Sequence, residues 1–517
     1  MLGLRSRRST ALALSIAWLA ASSTATAAHS SPGDAPPPGI HASELAAHQG
    51  EPPSLTGSEP MAQLGALSVP RVTKQVVGFY PYWAGGFTGF HWDLLTTVAY
   101  FSAEVDPTAK NGSFSNVHGW GSSTASLIST AHSNGVKVVL TLTLFDSTAI
   151  SAILGNATYR SSLVSNALSL VQSAGGDGIC LDFEGIAGGS TNKTGLVALM
   201  NAMTSAFHAA IPGSQVLIAT PAVDWAGVFD YDQLAIGTDG LMIMAYDYYW
   251  SGGPPGPVSP LTSGSLWGTY NVTWTANDYV TWGGTENRAK FILGVPWYGY
   301  DWPTTSFSIP GTAAGAATSR TYAQAKPLAQ QYGGNWDAAS QTPFVLYTSG
   351  GSHQLWYDDD SSLGLKLDLV NAQSFGGIGI WALDYEGSNP ELWTAIESKF
   401  VPPCPDADGD GYTSAACGGT DCNDANAAIH PGAAEVCGNH IDDNCNGSVD
   451  EGCTGGCGGT PAEAAVDGDS SPGTAPSGSG PDSALGALLV ALGTVRAARA
   501  ARPKRRARTD NLRQTLR

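Results

Sequence analysis

Eight short apolar runs, separated by polar or helical segments, lie between Val76 and Phe400 and constrain the fold more than any other feature. Helix candidates such as TASLISTAHSNG and GLVALMNAMTSAFHAAI lie between several of them. Apolar runs of this length that alternate with helices imply a parallel sheet covered on both faces. Eight such units over about 320 residues predict the α/β class, as a (β/α)8 TIM barrel with one or two insertions. The runs are QVVGFYPYW, TTVAYFSAEV, VKVVLTLTLF, DGICLDFE, QVLIATPAV, DGLMIMAYDYY, KFILGVPWYGY and GGIGIWALDY.

A doubly wound open sheet is the main alternative fold. It would need a glycine-rich, phosphate-binding turn after the first strand. The chain has the aromatic run GFYPYW at that point instead, so the closed barrel is the better prediction.

The N-terminal end has the features of a secretory signal peptide. Basic residues precede a short apolar run, and Ala25-Thr26-Ala27 form a cleavage site of small residues. Twin-arginine export through Arg7-Arg8 is an alternative, whereas the apolar run is too short for a membrane helix. We therefore expect a secreted protein or one at the bacterial cell surface. The expected organisation is a signal peptide at 1–28, a flexible or partly extended Pro/Ala-rich linker at 29–72, a barrel domain at 73–402, a small disulfide-rich appendage at 403–457, a linker at 458–483 and an apolar-basic tail at 484–517.

The charge distribution excludes two classes of partner. The chain has 43 acidic residues against 24 Lys and Arg, and nine of those basic residues lie from Arg496 onward. The middle of the chain is therefore strongly acidic, which argues against nucleic acid and anionic membranes as partners. A neutral polymer suits this surface better.

The stretch AGGDGICLDFEGIAGG places Cys180, Asp182 and Glu184 at alternate positions of one strand. Side chains alternate between the faces of a strand, so these three share one side, each roughly 6.5–7 Å from the next. Unpaired charges inside an apolar strand are costly, and barrel enzymes place reactive groups where strands end. A salt-bridged core is the alternative, but Lys and Arg are scarce nearby in the sequence.

Several motifs together resemble glycoside hydrolase family 18, in its chitinase-like and bacterial peptidoglycan glucosaminidase-like branch. DGICLDFE is similar to the family's fourth-strand signature Asp-Gly-x-Asp-x-Asp-x-Glu. The third-strand run LTLTLFD departs from the Ser-x-Gly-Gly of many chitinases. The other matching segments are MAYDY at 244–248, LGVPWYGYDW at 293–302, HQLWYDDDSSLGLK at 353–366 and GGIGIWALDYE at 376–386.

The resemblance implies substrate-assisted, retaining hydrolysis of β-1,4-linked N-acetylglucosamine polymers, either chitin or peptidoglycan, without a cofactor. An endoglycosidase that acts on N-glycans by the same mechanism is an alternative. Glu184 would be the general acid and base, and Asp182 would hold the sugar's acetamido N–H. Tyr246 would hydrogen-bond the acetamido carbonyl, and Asp247 would seat the distorted sugar. The predicted substrate-binding residues are Trp381 (with core packing as its alternative), Tyr80, Trp83, Met244, Tyr298 and Trp302.

Two non-catalytic functions remain open on the sequence alone. A carbohydrate-binding lectin on the same barrel is one, although such relatives typically lose the glutamate found here at position 184. A surface adhesin that works through the Cys/Asp-rich segment is the other.

Cys180 stands where the resembled family usually has a third acid. Cysteine is small, is readily buried and is a weak hydrogen-bond partner. We expect Cys180 to fill core volume rather than to act as a nucleophile, because no supporting His or Asn arrangement is visible.

The segment after Pro402 combines cysteines with acidic loops. Its cysteines predict three disulfides, with fifteen possible pairings in an exported chain. The segment resembles a small metal-binding repeat of bacterial surface proteins, and calcium is the predicted ion. An acidic spacer without metal is the alternative, and zinc is disfavoured because the histidines lack ligand spacing. The cysteines are Cys404, Cys417, Cys422, Cys437, Cys445 and Cys453, and the predicted ligands are Asp406, Asp408, Asp410, Asp442, Asn444, Asn446 and Asp450.

The C-terminal end resembles a bacterial sorting tail. A leftover Cys457 is followed by a polar linker, a short apolar run at 484–495 and a basic cluster. The run is short for a stable span, so we expect transient membrane association and then cleavage or attachment. An amphipathic C-terminal helix is the alternative.

Overall fold

The computed structural model describes residues 39–55 and 70–452. The predicted signal peptide, the predicted linker at 458–483, the predicted C-terminal tail, Cys453 and Cys457 lie outside the described residues. The strands within the described part are β1 Gln75–Pro81, β2 Thr97–Val105, β3 Phe114–Asn116, β4 Lys137–Leu144, β5 Gly178–Phe183, β6 Gln215–Pro221, β7 Gly240–Met244, β8 Phe291–Pro296, β9 Tyr298–Thr304, β10 Thr318–Thr321, β11 Gly334–Asp337, β12 Thr342–Thr348, β13 Ser352–Trp356 and β14 Gly377–Trp381.

Eight of these strands close a parallel barrel in the order β1-β2-β4-β5-β6-β7-β8-β14. The closure is made by β1, which pairs in parallel with β2 on one side and with β14 on the other. Every residue of β5 and of β8 is buried, because the helices cover the outer face while side chains fill the interior. The predicted TIM barrel is confirmed, and the eight apolar runs are its eight strands.

Most of the helices cover the outside of the barrel. Their apolar stripes explain their positions: in α5 the buried residues Leu196, Leu199, Met200, Met203 and Phe207 recur at helical spacing along one face. The helices are α1 Ile40–Ala47, α2 Ala125–Ser133, α3 Ser147–Gly155, α4 Ala157–Ala174, α5 Ser190–Ala210, α6 Tyr231–Gly237, α7 Val272–Gly283, α8 Tyr322–Tyr332, α9 Asp360–Ala372 and α10 Glu391–Phe400, with 3-10 turns at Thr285–Lys290 and Ala415–Cys417. Among the residues described, none of these helices is long and apolar enough to cross a membrane.

An insertion separates the last two barrel strands. It is a five-stranded antiparallel sheet in the order β10-β9-β13-β12-β11, and α8 packs beside it. Asp301 is buried at its centre, where the carboxylate binds Arg320 at 3.0 Å and His353 at 3.0 Å. This sheet is a predicted insertion, and its strand β9 begins two residues after β8 ends.

The N-terminal segment differs from its prediction. The linker at 29–72 was expected to be flexible or partly extended throughout, and this is wrong for residues 40–47, which form α1. Ile40 and Leu45 on this helix are each only 3% exposed, because they pack into the hydrophobic core of the barrel. The short helix-forming run IHASELAA lies within a stretch that is rich in Pro and Gly. The composition of the whole stretch therefore did not predict the helix.

The Cys/Asp-rich segment has little regular structure and is held by disulfides. Cys404 pairs with Cys417 and Cys422 pairs with Cys445, and Cys437 is disulfide-bonded as well. The predicted disulfide-rich appendage is therefore confirmed in the described part of this segment.

Candidate active site

The two predicted catalytic carboxylates lie at the C-terminal end of β5. Asp182 is on the strand and fully buried. Glu184 follows the strand directly, and its backbone N–H donates to the Leu144 carbonyl at 3.2 Å. Gly185 then turns the chain away with a φ of 71°, a left-handed conformation that glycine adopts without steric cost. Alternation along β5 therefore brings both acids to the mouth of the barrel.

Burial and a neighbouring negative charge affect the protonation of Glu184. One oxygen from each of Asp182 and Glu184 lies within 4.8 Å of the other. Burial, and next the negative charge of Asp182, raise the pKa of Glu184 above its usual range. A raised pKa suits Glu184 to donate a proton as a general acid.

Other strands of the barrel supply the rest of the site. Tyr246 and Asp247 follow β7, and the hydroxyl of Tyr298 donates to the Asp247 carboxylate at 2.5 Å. Asp247 has a φ of 57°, a strained conformation of the kind that collects at functional sites. Burial raises the pKa of its carboxyl group, an effect opposed by the hydrogen bond from Tyr298. Trp381 ends β14 and is fully buried.

A histidine that was not predicted joins these residues into one cluster. The Nδ1 atom of His41, on α1, lies 2.8 Å from the Asp182 carboxylate and 3.3 Å from that of Glu184. Its Nε2 atom lies 2.9 Å from the Tyr246 hydroxyl, and its ring centroid is 3.8 Å from that of Trp381. Nothing in the local pattern around His41 indicated this, because its partners are more than 140 positions away in the chain.

A comparison with known sequences fits this geometry. The profile described as glycosyl hydrolases family 18 matches residues 75–386, which include every barrel strand. The chain belongs to glycosyl hydrolase family 18. As a member of this family it is a glycosidase.

Known proteins that are similar to this chain include a glycosylase, a chitobiase and a chitinase, according to their names. The "Putative sporulation-specific glycosylase YdhD" of Bacillus subtilis is 27% identical, over 64% of this chain and 77% of the relative. The di-N-acetylchitobiase of Homo sapiens is 29% identical, over 60% of this chain and 81% of the relative. A family 18 chitinase variant of Cycas revoluta, solved with (GlcNAc)4, has a TM-score of 0.55 at 18% identity and matches 63% of this chain and 99% of its own. This last likeness supports the fold.

The Cys/Asp-rich segment matches a second profile. Residues 421–451 match the family described as "Putative metal-binding motif". The metal-binding resemblance of this segment is thereby confirmed.

The other predicted substrate-binding residues of the family 18 site fall into two groups. Met244 ends β7 and is half-buried, and Trp83 is half-buried with its ring stacked on His48. Tyr80 and Trp302 are fully buried. The Tyr80 hydroxyl donates to the Gly85 carbonyl, and the Trp302 indole N–H donates to the Gly253 carbonyl. These last two residues stabilise the barrel wall and the insertion, and their contacts give no support to a role in binding sugar.

Cys180 faces the barrel interior below Asp182 and is fully buried. Burial, and next the charge of Asp182, raise the pKa of its thiol well above the ordinary value. Both effects suppress the thiolate, which is the reactive form. This placement agrees with a core-filling role.

We expect Cys180 to resist alkylation in the folded protein. Iodoacetamide should label it about 10²-fold or more slowly than it labels the same residue after denaturation, because burial denies access and disfavours the thiolate. Peptide mapping by mass spectrometry would measure labelling at Cys180 with and without urea. Rapid labelling of the native protein at this residue would contradict the assignment.

Proposed function

We propose that the protein is an exported glycosidase that cleaves β-1,4-linked N-acetylglucosamine polymers, chitin or the glycan of peptidoglycan, by substrate-assisted retaining catalysis. The observation that carries the proposal is the pair Asp182 and Glu184 at one strand end. Both carboxylates and the Tyr246 hydroxyl lie 2.8–3.3 Å from ring nitrogens of the buried residue His41. The disulfides support export, because they persist in oxidising compartments. Secretion and display on a bacterial cell surface are both consistent with this.

In the proposed first step, Glu184 donates its proton to the bridging glycosidic oxygen. The carbonyl oxygen of the sugar's own 2-acetamido group bonds to the anomeric carbon, and the bond from that carbon to the leaving sugar breaks. Asp182 accepts a hydrogen bond from the acetamido N–H and offsets the positive charge that develops on the oxazolinium-like ring. Tyr246 hydrogen-bonds the acetamido oxygen and orients it.

In the second step, the Glu184 carboxylate takes a proton from water, and the oxygen of that water attacks the anomeric carbon. The acetamido group is released unchanged and the sugar keeps its anomeric configuration, because the carbon is inverted twice. Asp247 seats the distorted sugar and Trp381 forms the apolar floor beneath it. No cofactor enters either step.

The test of this proposal is mass spectrometry of the products released from chitin oligosaccharides and from purified peptidoglycan. We expect one of these substrates to give fragments with N-acetylglucosamine at the new reducing end. The assay should use the full chain and also the variant His41→Ala/Glu44→Ala, because α1 lies over the site. If neither protein releases products although the oligosaccharides bind, the lectin alternative replaces this proposal.

We also propose that the Cys/Asp-rich segment binds calcium. Carboxylate oxygens of Asp408, Asp410 and Asp421 lie within 4.8 Å of one another. Asp421 is only 1% exposed, and each of the three has a buried Oδ2 atom to which no described residue donates a hydrogen bond. Burial, together with the charges of Asp410 and Asp421, raises the pKa of Asp408. Three converging, unsatisfied oxygens match the hard oxygen ligands that calcium prefers.

This arrangement changes part of the predicted ligand set. Asp408 and Asp410 come together with Asp421, which had not been predicted, whereas Asp406 groups with Asp408 and Asp424.

In the second predicted loop, Asp442 accepts hydrogen bonds from backbone N–H groups of 446 and 447. The side-chain amides of Asn444 and Asn446 donate to Glu451, and Asp450 accepts from the N–H of Gly438. Metal binding by that loop stays a prediction.

We expect calcium to bind the full chain and to raise its resistance to proteolysis within 403–452, and chelation by EDTA to reverse this. Asp421→Asn should weaken binding about tenfold or more, because a buried charged ligand is lost. Titration calorimetry with CaCl₂ measures the affinity, and Asp368→Asn on α9 is the matched control. Equal calcium affinity in the two variants would contradict the site.

A further inference from the structure

We propose that residues 39–55 form an intramolecular inhibitor that fills the sugar-binding position of the active site. This inference rests on the proposed function, because the site it blocks is the one assigned above to an amino sugar. The segment enters beside Glu184, crosses the mouth of the barrel and leaves along the aromatic residues after β1.

His41 occupies the place assigned to the acetamido group. One ring nitrogen binds Asp182 at 2.8 Å, where the acetamido N–H would donate, and the other lies 2.9 Å from the Tyr246 hydroxyl, where the acetamido oxygen would lie. The ring lies against Trp381, the proposed floor, with centroids 3.8 Å apart and planes tilted by 33°. A protonated imidazole is a planar, five-membered, cationic ring. It therefore resembles the cationic five-membered ring of the oxazolinium-like intermediate that the site is proposed to stabilise.

Neighbouring residues of the segment fix the ring in place. The backbone N–H of Ile40 donates to the Asp247 carboxylate at 3.0 Å. Glu44, one turn further along α1, accepts the indole N–H of Trp381 at 3.0 Å and the hydroxyl of Tyr385 at 2.7 Å. Trp381 and Asp247 thus both contact the segment, at the positions where the proposed mechanism needs them to contact sugar.

Gly39 permits the closest approach to the catalytic acid. A Cβ atom on this residue would lie 2.4 Å from the Oε2 atom of Glu184, a distance that no carbon atom keeps from an oxygen without a bond. The backbone of the segment therefore lies directly over the proton donor, and a glycosidic oxygen cannot reach Glu184 while the segment is bound.

The segment then follows the aromatic wall of the cleft. The ring of His48 stacks on Trp83, with centroids 4.7 Å apart and planes 7° apart. The Tyr82 hydroxyl donates to the His48 carbonyl at 2.6 Å, and the backbone N–H of Ser54 donates to the Tyr82 carbonyl at 2.8 Å. Stacking on an aromatic ring is also how a sugar chain would use Trp83. The inhibitor and a polysaccharide therefore compete for the same surface.

The charges around His41 favour its bound, protonated form. Burial opposes the charge, but the carboxylates of Asp182 and Glu184 prevail and raise the pKa of His41 from 6.5 to about 10. The other titratable groups that face it are Tyr246 and Asp247 after β7 and Glu44 on its own helix. Because the bound pKa is the higher one, the electrostatic stabilisation is complete below about pH 6.5. It declines as the pH rises, and it is lost above about pH 10.

The test removes the two anchors in the full chain by His41→Ala/Glu44→Ala. Neither residue has a role in the proposed chemistry, so we expect kcat/KM on chitin oligosaccharides to rise about tenfold or more as the open form becomes populated. Ala46→Gln, on the exposed face of the same helix, is the matched control and should leave the activity unchanged. The thermal midpoint of each variant verifies that the barrel stays folded.

A peptide of residues 39–55 supplied in trans gives a second measurement. It should inhibit the double variant competitively with substrate, and the same peptide with His41→Ala should inhibit much less. The ratio of double-variant to wild-type kcat/KM should be largest below pH 6.5 and fall towards one as the pH approaches 10. This ratio cancels the pH dependence of the chemistry itself.

The outcomes separate the inhibitor from the proposed function. Unchanged or lower activity in the double variant, with hydrolysis still dependent on Glu184, overturns the inhibitor while the glycosidase proposal stands. If no variant hydrolyses either glycan, the proposed function fails. Binding of chitin oligosaccharides to Glu184→Gln chains with and without the two anchor substitutions then decides the inhibitor. Tighter binding without the anchors supports it, and equal binding overturns it.

Discussion

Replacing Glu184 by glutamine is expected to lower the hydrolysis of chitin oligosaccharides by about 10²–10⁴-fold, the usual contribution of a positioned general acid. Glutamine keeps the shape and the hydrogen-bonding oxygen of the side chain but cannot give up a proton. The loss should therefore appear in kcat, with oligosaccharide binding retained. Release of reducing ends in the wild-type chain and in the His41→Ala/Glu44→Ala background measures the effect.

The matched control is Glu286→Gln. Glu286 lies in the 3-10 turn before β8 and is exposed. It is at the end of the barrel opposite the proposed site, so its substitution should change the rate by less than about twofold, as surface substitutions are usually close to neutral. Equal activity of wild type and Glu184→Gln on both glycans would show that Glu184 is not the proton donor and would refute the proposed mechanism.

Replacing Lys366 by methionine is expected to lower the free energy of unfolding by about 3–5 kcal/mol. Lys366 on α9 is fully buried and forms an ion pair with Asp358, which is itself 4% exposed. Methionine fills a similar volume but carries no charge, so the carboxylate of Asp358 is left buried without its cation. Urea unfolding measures the loss as a lower midpoint at unchanged slope.

Lys399→Met is the control for Lys366→Met, because it removes the same kind of pair at the surface. Lys399 binds Asp368 on α9 at 2.8 Å, with side chains 35% and 52% exposed. Exposed pairs contribute only about 0–1 kcal/mol. The double substitution Asp358→Asn/Lys366→Met should regain part of the lost stability, since no unpaired charge remains. Equal losses for the two lysine substitutions would refute the buried-pair argument.

The barrel and its reactive end could be predicted because the relevant signals are local. Each barrel strand is buried on both faces, so it appears in the sequence as a continuous apolar run of strand length. The period of two along β5 places Asp182 and Glu184 on the side that meets the barrel mouth, whatever the rest of the chain does. The disulfide framework was visible from cysteine number, although its pairing was not.

Long-range packing could not be predicted from the sequence. Tyr80 and Trp302 carry the same kind of ring as Trp83, yet both are buried and hydrogen-bonded to backbone carbonyls. A sequence shows that a side chain is aromatic, but it does not show which neighbouring residue covers that side chain. The same limit applies to Asp421, which joins Asp408 and Asp410 only because the chain folds back on itself there.

By itself, the sequence determined the barrel, the order of its strands and the two acids at the end of β5, because strand periodicity and burial are properties of short stretches of chain. Only the tertiary structure decided that α1 lies in the mouth of the barrel. The pairing of His41 with Asp182 spans 141 positions, and it depends on shape and charge at a cleft that does not exist until the barrel closes. A short helix in a Pro-rich leader has no local sign of such a partner.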